Sequence, residues 1–345
     1  MMKAMILDGI YDLKKEEVAP LKPAYMPIPE PKDDEVLLRV CACGVCHTEL
    51  DEIEGRTPPP NFPVILGHQV IGFVEKKGKY VQRLKHGDRV GVGWIFSSCG
   101  RCDFCRQGNE NLCEDFKATG RDANGGYAEY MTVKEDFAFK IPDVFTDIEA
   151  APLLCAGAIG YRSLRLTGIQ NGMNLGLIGF GASAHIVLQM TLHRYHDSKV
   201  FVFARSEQER RFSLELGAYW AGDIEDVPPE KINSAIDTTP VWLPIIEGLK
   251  NLEKGGRLVI NAIRKESHDI EALLKIDYPT HLWHEKEIKS VANVSREDIG
   301  EFLQLAAEIP IKPEVQTYKL DDANTALKEL KSRKIRGAKV LRIIE

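Results

Sequence analysis

Leu175-Gly176-Leu177-Ile178-Gly179-Phe180-Gly181-Ala182-Ser183-Ala184 decides the architecture of the second half of the chain. Four apolar or small residues read as a buried strand, and a helix over about 182–193 follows at once. The glycines have separate tasks in the turn between them. Gly179 permits a tight reversal, Gly181 lets the backbone approach a pyrophosphate, and Ala184 keeps helix and strand close. The first free N–H groups of the helix, with its positive dipole end, suit the phosphates of a dinucleotide. Phe180, Ala182 and Ser183 complete this candidate turn.

Working outward, the same alternation continues. Lys199-Val200-Phe201-Val202-Phe203 is the next strand, and Glu207 to Leu216 the next helix, stopped by Gly217. Ala235-Ile236, Arg257-Leu258-Val259-Ile260 and Ile288-Lys289-Ser290-Val291 extend the series. Short apolar strands separated by helices imply right-handed crossovers and a doubly wound parallel sheet. Ligands bind such sheets beyond the carboxyl ends of the strands, which marks Thr238, Asn261, Ala262, Ala292 and Asn293 as candidate dinucleotide contacts. After Phe203 the chain reads Ala204-Arg205-Ser206, with Arg205 twenty-one residues beyond Ala184. No carboxylate stands there to claim a ribose 2′-hydroxyl. Arg205, with Ser206 and Arg210 nearby, suits a 2′-phosphate, so NADP(H) is favoured over NAD(H).

Residues 1–150 read differently, as short apolar runs such as Val36–Val40 and Val70–Val74 broken by Gly, Pro and Asp. The proline-rich stretch 19–34 reads as an extended connector or sheet edge. The expected organisation is a β-rich domain over 1–150, a dinucleotide-binding domain over 151–293, and a return of 294–345 to the first. That last segment carries a helix over 297–308, a proline-bounded stretch and a final strand over 339–344. A chain of 345 residues with 44% hydrophobic and 28% charged residues suits two globular domains. The net charge of −6 disfavours a general nucleic-acid binder. With no apolar run of about 20 residues, no membrane span is expected, and the cytoplasm is the default location.

Eight cysteines without an export signal point away from disulfides. Cys99-x2-Cys102-x2-Cys105-x7-Cys113 places four thiolates in one lobe, 93–115, where zinc can close a tetrahedron without an open position. An iron–sulfur run also begins Cys-x2-Cys-x2-Cys, but its fourth cysteine comes after three residues and precedes proline. Four unrelated buried thiols are the bland alternative. Cys46, His68 and Cys155 are scattered, and their spacing alone does not join them.

A resemblance does. Gly44-Val45-Cys46-His47-Thr48, Gly67-His68-Gln69, the four-cysteine lobe and Leu153-Leu154-Cys155-Ala156-Gly157 occur in the order found in zinc-dependent medium-chain alcohol dehydrogenases. Gly87-Asp88-Arg89-Val90, Gly125 to Tyr130 and Gly337 to Leu341 extend the likeness over nearly the whole chain. The resemblance implies a GroES-like β-rich catalytic domain beside a Rossmann domain. It implies that Cys46, His68 and Cys155 bind a catalytic zinc, leaving its fourth position to water or substrate; Cys2His is the ligand set of alcohol dehydrogenase. Zinc there acts as a Lewis acid, favouring the alkoxide or polarising the carbonyl. It further implies that Thr48 relays the proton, that His47 lies near the pyrophosphate, and that Trp94 walls the substrate pocket. Trp283, in Leu282-Trp283-His284-Glu285, is a second candidate for such a wall as an aromatic residue, apart from the resemblance.

Three departures stand out. Gln69 follows the ligand histidine where the family usually has Glu, Glu49 replaces Asp, and Asp51 replaces a frequent His. These changes lead us to expect a catalytic zinc held less firmly than the structural one. The leading reading is reversible hydride transfer between a primary or secondary alcohol and NADP or NAD. A zinc-free quinone or enone reductase of the same superfamily, or a catalytically quiet cofactor-binding protein, are the alternatives. Expected partners are a small alcohol, aldehyde or ketone, and further copies of the chain, since relatives are dimers or tetramers.

Overall fold

A computed structural model describes residues 1–14, 18–309, 311–332 and 337–344. The chain divides into two compact units. The first comprises the described residues of Met1–Cys155, Val294–Glu308 and Lys312–Glu345, and the second the described residues of Ala156–Asn293 and Ile309–Ile311.

The second unit carries a six-stranded sheet in which every neighbouring pair is parallel. Its spatial order is Trp220–Gly222, Val200–Phe203, Leu175–Ile178, Ile232–Asp237, Leu252–Ile260 and Glu287–Ser290. Numbered by sequence, that is the 3-2-1-4-5-6 order of dinucleotide-binding sheets. The inner strands Leu175–Ile178, Val200–Phe203 and Ile232–Asp237 are almost wholly buried, as strands of a covered parallel sheet are, whereas the edge strand Glu287–Ser290 is exposed. Leu175, Leu177, Val200, Phe201, Ile232, Ala235 and Leu258 are all fully buried. Helices Ala182–Arg194 and Glu207–Glu215 fall where periodicity places them. The strand Trp220–Gly222 is a three-residue edge and has no strand-like run in sequence. Asp223 immediately follows it.

The first unit is built on antiparallel strands. A central strand, Glu35–Val45, pairs with Val70–Lys77 on one side and with Ala338–Arg342 and Tyr130–Lys134 on the other. The stretch 19–34 supplies the edge strand Leu21–Met26, antiparallel to Met2–Leu7. Leu38, Val40, Val70, Val74, Val90, Tyr127, Val133 and Leu341 pack the core beneath. Helix Arg296–Glu308 and strand Ala338–Arg342 bring the end of the chain back to this unit. The proline-bounded stretch includes position 310, which lies outside the described residues. Among the described residues, no helix is long and apolar enough to cross a membrane.

Candidate functional site

Cys46 stands where the central strand Glu35–Val45 ends and helix His47–Ile53 begins. Its extended backbone makes it the N-cap. Its Sγ accepts from Thr48 N at 3.4 Å, and Glu49 Oε2 accepts from Cys46 N at 2.8 Å. This reciprocal capping box fixes the thiol by backbone geometry. Thr48 thus sits in the first turn without capping the helix, half-buried, while His47 is exposed.

His68 follows Gly67, whose φ of +96° and crowded surroundings demand glycine. A Cβ at Gly67 would lie 2.4 Å from the Tyr127 ring and 2.8 Å from Cys43 Sγ. Cys155 follows the short 3-10 turn Ala151–Leu154 and precedes helix Ala156–Thr167. These three distant stretches converge. His68 Nε2 is 3.6 Å from Cys46 Sγ and 3.3 Å from Cys155 Sγ, and all three ligand atoms lie within 4.8 Å of one another. Around a tetrahedral zinc, a bound sulfur and a bound nitrogen lie about 3.5 Å apart. Two thiols and an imidazole at that spacing fit the ion.

The electrostatics point the same way. The Cys155 contact and then burial push the Cys46 thiol well above its ordinary range. For His68, burial works downward, but the charges of Glu49 and Cys46 outweigh it and hold the imidazole above its usual range. A divalent cation reverses such preferences, deprotonating the thiols outright. Glu49 Oε1 lies 2.7 Å from His68 Nδ1, so the longer side chain still reaches the ring that faces the thiols with its other nitrogen. Asp51 is held by Arg56 Nε at 2.5 Å. Gln69 is buried against Gly44, where a Cβ would come within 2.5 Å of its Oε1.

Glu52 joins this site without a motif to mark it in the sequence. It lies one turn beyond Glu49 on the same helix, is fully buried, and has no hydrogen-bond partner for either oxygen among the described residues. Burial, then the Glu49 charge, raises its carboxyl well above the usual range. The i, i+3 spacing of two carboxylates after the cap was the available signal.

The four-cysteine lobe is local throughout. Cys99, Cys102, Cys105 and Cys113 present sulfurs within 4.8 Å of one another, and Cys99 and Cys105 are 3.8 Å apart. Two sulfurs on a tetrahedral zinc are separated by about 3.8 Å. The N–H groups of Arg101 and Cys102 lower the Cys99 thiol to about 6, whereas burial raises Cys113 to about 12. Glu110 fastens the lobe: its Oε1 accepts from Arg296 N at 2.7 Å and Nε at 3.0 Å. Trp94 is half-buried, tilted on Phe116 at 4.9 Å with the Arg121 guanidinium 5.6 Å from its ring. Its Nε1 has no partner among the described residues.

In the second unit, Gly179 adopts φ +81°, and a Cβ there would meet Thr238 Oγ1 at 2.7 Å. Gly181 caps helix Ala182–Arg194 without a side-chain bond, and a Cβ on it would meet nothing within 4 Å. Ala184 is buried, Ser183 Oγ donates to Ala156 O, and Phe180 packs edge-on against Phe212. Phe180 therefore offers a ligand its backbone only. Arg205 is exposed just past Val200–Phe203, and Ser206 Oγ caps the next helix by accepting from Glu209 N. Arg210 spends Nη1 on Ala204 O at 2.6 Å, Arg205 O at 3.0 Å and Asp223 Oδ2 at 3.6 Å. So the fold brings a carboxylate, Asp223, toward a turn that lacks one in sequence.

Thr238, Asn261, Ala262, Ala292 and Asn293 all fall just beyond the carboxyl ends of their strands, and Asn293 has φ +60°. Trp283 is a surface residue, 54% exposed, edge-on to Tyr278 and tilted against His284, which does not make it the wall of an apolar slot within its own unit.

Comparison with known proteins completes the picture. A family model described as an alcohol dehydrogenase GroES-like domain matches residues 32–143. A probable alcohol dehydrogenase, AdhA, of Mycobacterium tuberculosis is 40% identical over 332 residues, covering 95% of this chain and 94% of its own. An alcohol dehydrogenase of Geobacillus stearothermophilus is 31% identical, covering 92% and 94%. Among solved structures, a cinnamyl alcohol dehydrogenase of Sorghum bicolor superposes with a TM-score of 0.83 at 25% identity, covering 99% and 97%.

Proposed function

The chain belongs to the zinc-binding medium-chain alcohol dehydrogenase family and is an oxidoreductase of alcohols and carbonyl compounds, and from that premise we propose a zinc-dependent, NADP-preferring enzyme acting at Cys46, His68 and Cys155. The convergence of those three ligand atoms carries the proposal. When bound, the metal supplies Lewis acidity toward the substrate oxygen, and the dinucleotide supplies the two-electron acceptor or donor. The residues do the rest. Cys46 and Cys155 contribute two negative charges, and His68 a neutral nitrogen oriented by Glu49. Thr48 Oγ1 both accepts and donates a hydrogen bond, so it can take the hydroxyl proton of an alcohol and pass it outward. Trp94 offers an apolar face to the substrate, and small apolar or aromatic alcohols, aldehydes and ketones are the class we favour. The four thiols of the lobe hold a second zinc with a structural role.

A screen of aldehydes and ketones with NADPH, with and without zinc, tests the whole reading. Zinc-stimulated turnover is the expected result. Turnover indifferent to metal would favour an enone or quinone reductase, and none at all would favour a quiet cofactor-binding protein.

For the dinucleotide, exposed Arg205 supports NADP, and Arg210 contributes by shaping the Ala204–Arg205 backbone. Arg205→Ala should cut kcat/KM for NADPH by about ten- to a hundred-fold, the scale of a charged phosphate contact, with little effect for NADH. Equal losses for both cofactors would contradict this assignment. We further infer a homo-oligomer. Leu274 is 87% exposed, and Ile263, Ile270, Tyr278, Trp283 and Ile288 also expose large apolar surface. The same segment ends in the edge strand Glu287–Ser290, which among the described residues pairs only with Leu252–Ile260. Sedimentation equilibrium showing monomer at micromolar concentration would sink that inference. The free cysteines suit a reducing compartment, which we take to be the cytoplasm.

A further inference from the structure

The segment after strand Leu252–Ile260 reaches across to the loop after strand Ile232–Asp237 and holds it by one buried lysine. Lys265, whose side chain is 8% exposed, pairs with the fully buried Asp237. Its Nζ also donates to Thr239 O at 2.8 Å and Val241 O at 3.0 Å, so all three protons are spent on this one loop. Asp237 is engaged from the other side, where Oδ1 accepts from Thr239 Oγ1 at 2.7 Å and Thr239 N at 3.1 Å. Glu266 N donates to Pro240 O at 2.6 Å, and Asp269 Oδ2 accepts from Trp242 N and Leu243 N at 2.7 and 2.9 Å.

The loop so held is the one that meets the dinucleotide turn. Thr238 N and Oγ1 both donate to Ile178 O, at 2.9 and 3.0 Å. Thr238 Oγ1 and Thr239 Cγ2 fill the space a Cβ on Gly179 would need, at 2.7 and 3.1 Å. A buried ion pair is a poor device for stability alone, because desolvation cancels most of its attraction. Its geometric demands are strict, and that suits a device for holding shape. We propose that Lys265 is a positioning residue for the dinucleotide: by clamping 237–241 it preorganises the wall against which the Gly179 turn and the cofactor seat. This rests on the dinucleotide assignment above. It adds a residue outside the glycine turn that sets cofactor affinity.

The test compares Lys265→Met with the charge-balanced double variant Lys265→Met, Asp237→Asn. NADPH is the probe, its binding read by its own fluorescence and by titration calorimetry. The single variant leaves a buried carboxylate unpaired and is expected to lose thermal stability. The double variant removes that burden and still lacks the clamp. Its Kd for NADPH is expected to rise by about ten-fold, the gain that preorganisation gives a binding loop. KM for NADPH should rise in step, with kcat at saturation within about two-fold. A folded double variant binding NADPH within about two-fold of the parent would overturn the clamp. So would a weakening that vanishes on cooling, since that marks a loss of fold stability only. If the parent protein itself binds no nicotinamide dinucleotide, the functional reading fails first, and the clamp with it.

Discussion

The two clusters of candidate metal ligands differ in almost every respect. Cys99, Cys102, Cys105 and Cys113 come from fifteen consecutive positions, and the loop needs no distant partner to gather them. Cys46, His68 and Cys155 come from a strand–helix junction, a glycine turn and the end of a 3-10 turn. Only the folded unit makes that set. Four sulfurs close a tetrahedron, whereas two sulfurs and a nitrogen leave a position open. On the reading proposed above, a metal in the first cluster would store folding energy, and one in the second would offer a Lewis acid to substrate. A metal's role follows from how many ligands the chain supplies and how far apart it draws them from.

Removing one ligand from each cluster should separate these roles most sharply. Cys46→Ser is expected to lower kcat/KM by about a thousand-fold or more, as Lewis-acid stabilisation is lost. Its thermal midpoint should stay near that of the parent. Cys113→Ser should do the reverse, lowering the midpoint by about 10 °C while the remaining folded fraction keeps most of its turnover. Similar effects from both variants would erase the distinction drawn between the clusters.

Glu49 offers a subtler probe. It supports both Cys46 N and His68 Nδ1, so Glu49→Ala should weaken the three-ligand site about ten- to a hundred-fold in metal affinity. The lobe should be untouched. Under mild chelation the parent should lose activity before its thermal midpoint moves, because the open site yields its metal first. Metal analysis with equal retention at both sites would count against that order. That Glu49 reaches His68 removes one of the three reasons for expecting a weak site, and two remain, Gln69 in place of a carboxylate and Asp51 in place of a histidine.

The smallest effect is a matter of pH. In metal-stripped protein, the Cys99 thiol, lowered to about 6 by two backbone N–H groups, should alkylate with a midpoint near that value. Reactivity should rise as pH climbs through that midpoint and level off above it, since the thiolate is the nucleophile. Cys113, raised to about 12 by burial, should stay unmodified at neutral pH. Mass spectrometry of modified peptides over pH 5–8 reads both; equal labelling would mean that the lobe does not keep this geometry without its ion.

Legibility in the sequence followed distance along the chain. Strands Leu175–Ile178 and Val200–Phe203 and the helices after them were readable from local apolar patterning. Trp220–Gly222 was not, because a three-residue edge strand takes its pairing from a neighbour and carries no pattern of its own. Asp223 was missed with it, and so was its approach to Arg210. Arg210 looked like a phosphate ligand by position, and the fold spends part of its guanidinium on backbone carbonyls. Trp283 looked like a pocket wall by residue type, yet within its own unit it lies exposed, edge-on to Tyr278.

The amino-acid order alone determined the local devices: the Gly179 turn with its helix, the four-thiol lobe, and the alternation that forces a parallel sheet. Each needs only neighbours within a few residues, and backbone sterics decides the outcome. Tertiary structure alone decided that His68 Nε2 faces two thiols, that Glu49 reaches Nδ1, that Glu52 is buried without a hydrogen-bond partner among the described residues, and that Lys265 ties two loops together. Those facts depend on where side chains from separate segments end, and packing sets those endpoints only after the whole unit has closed.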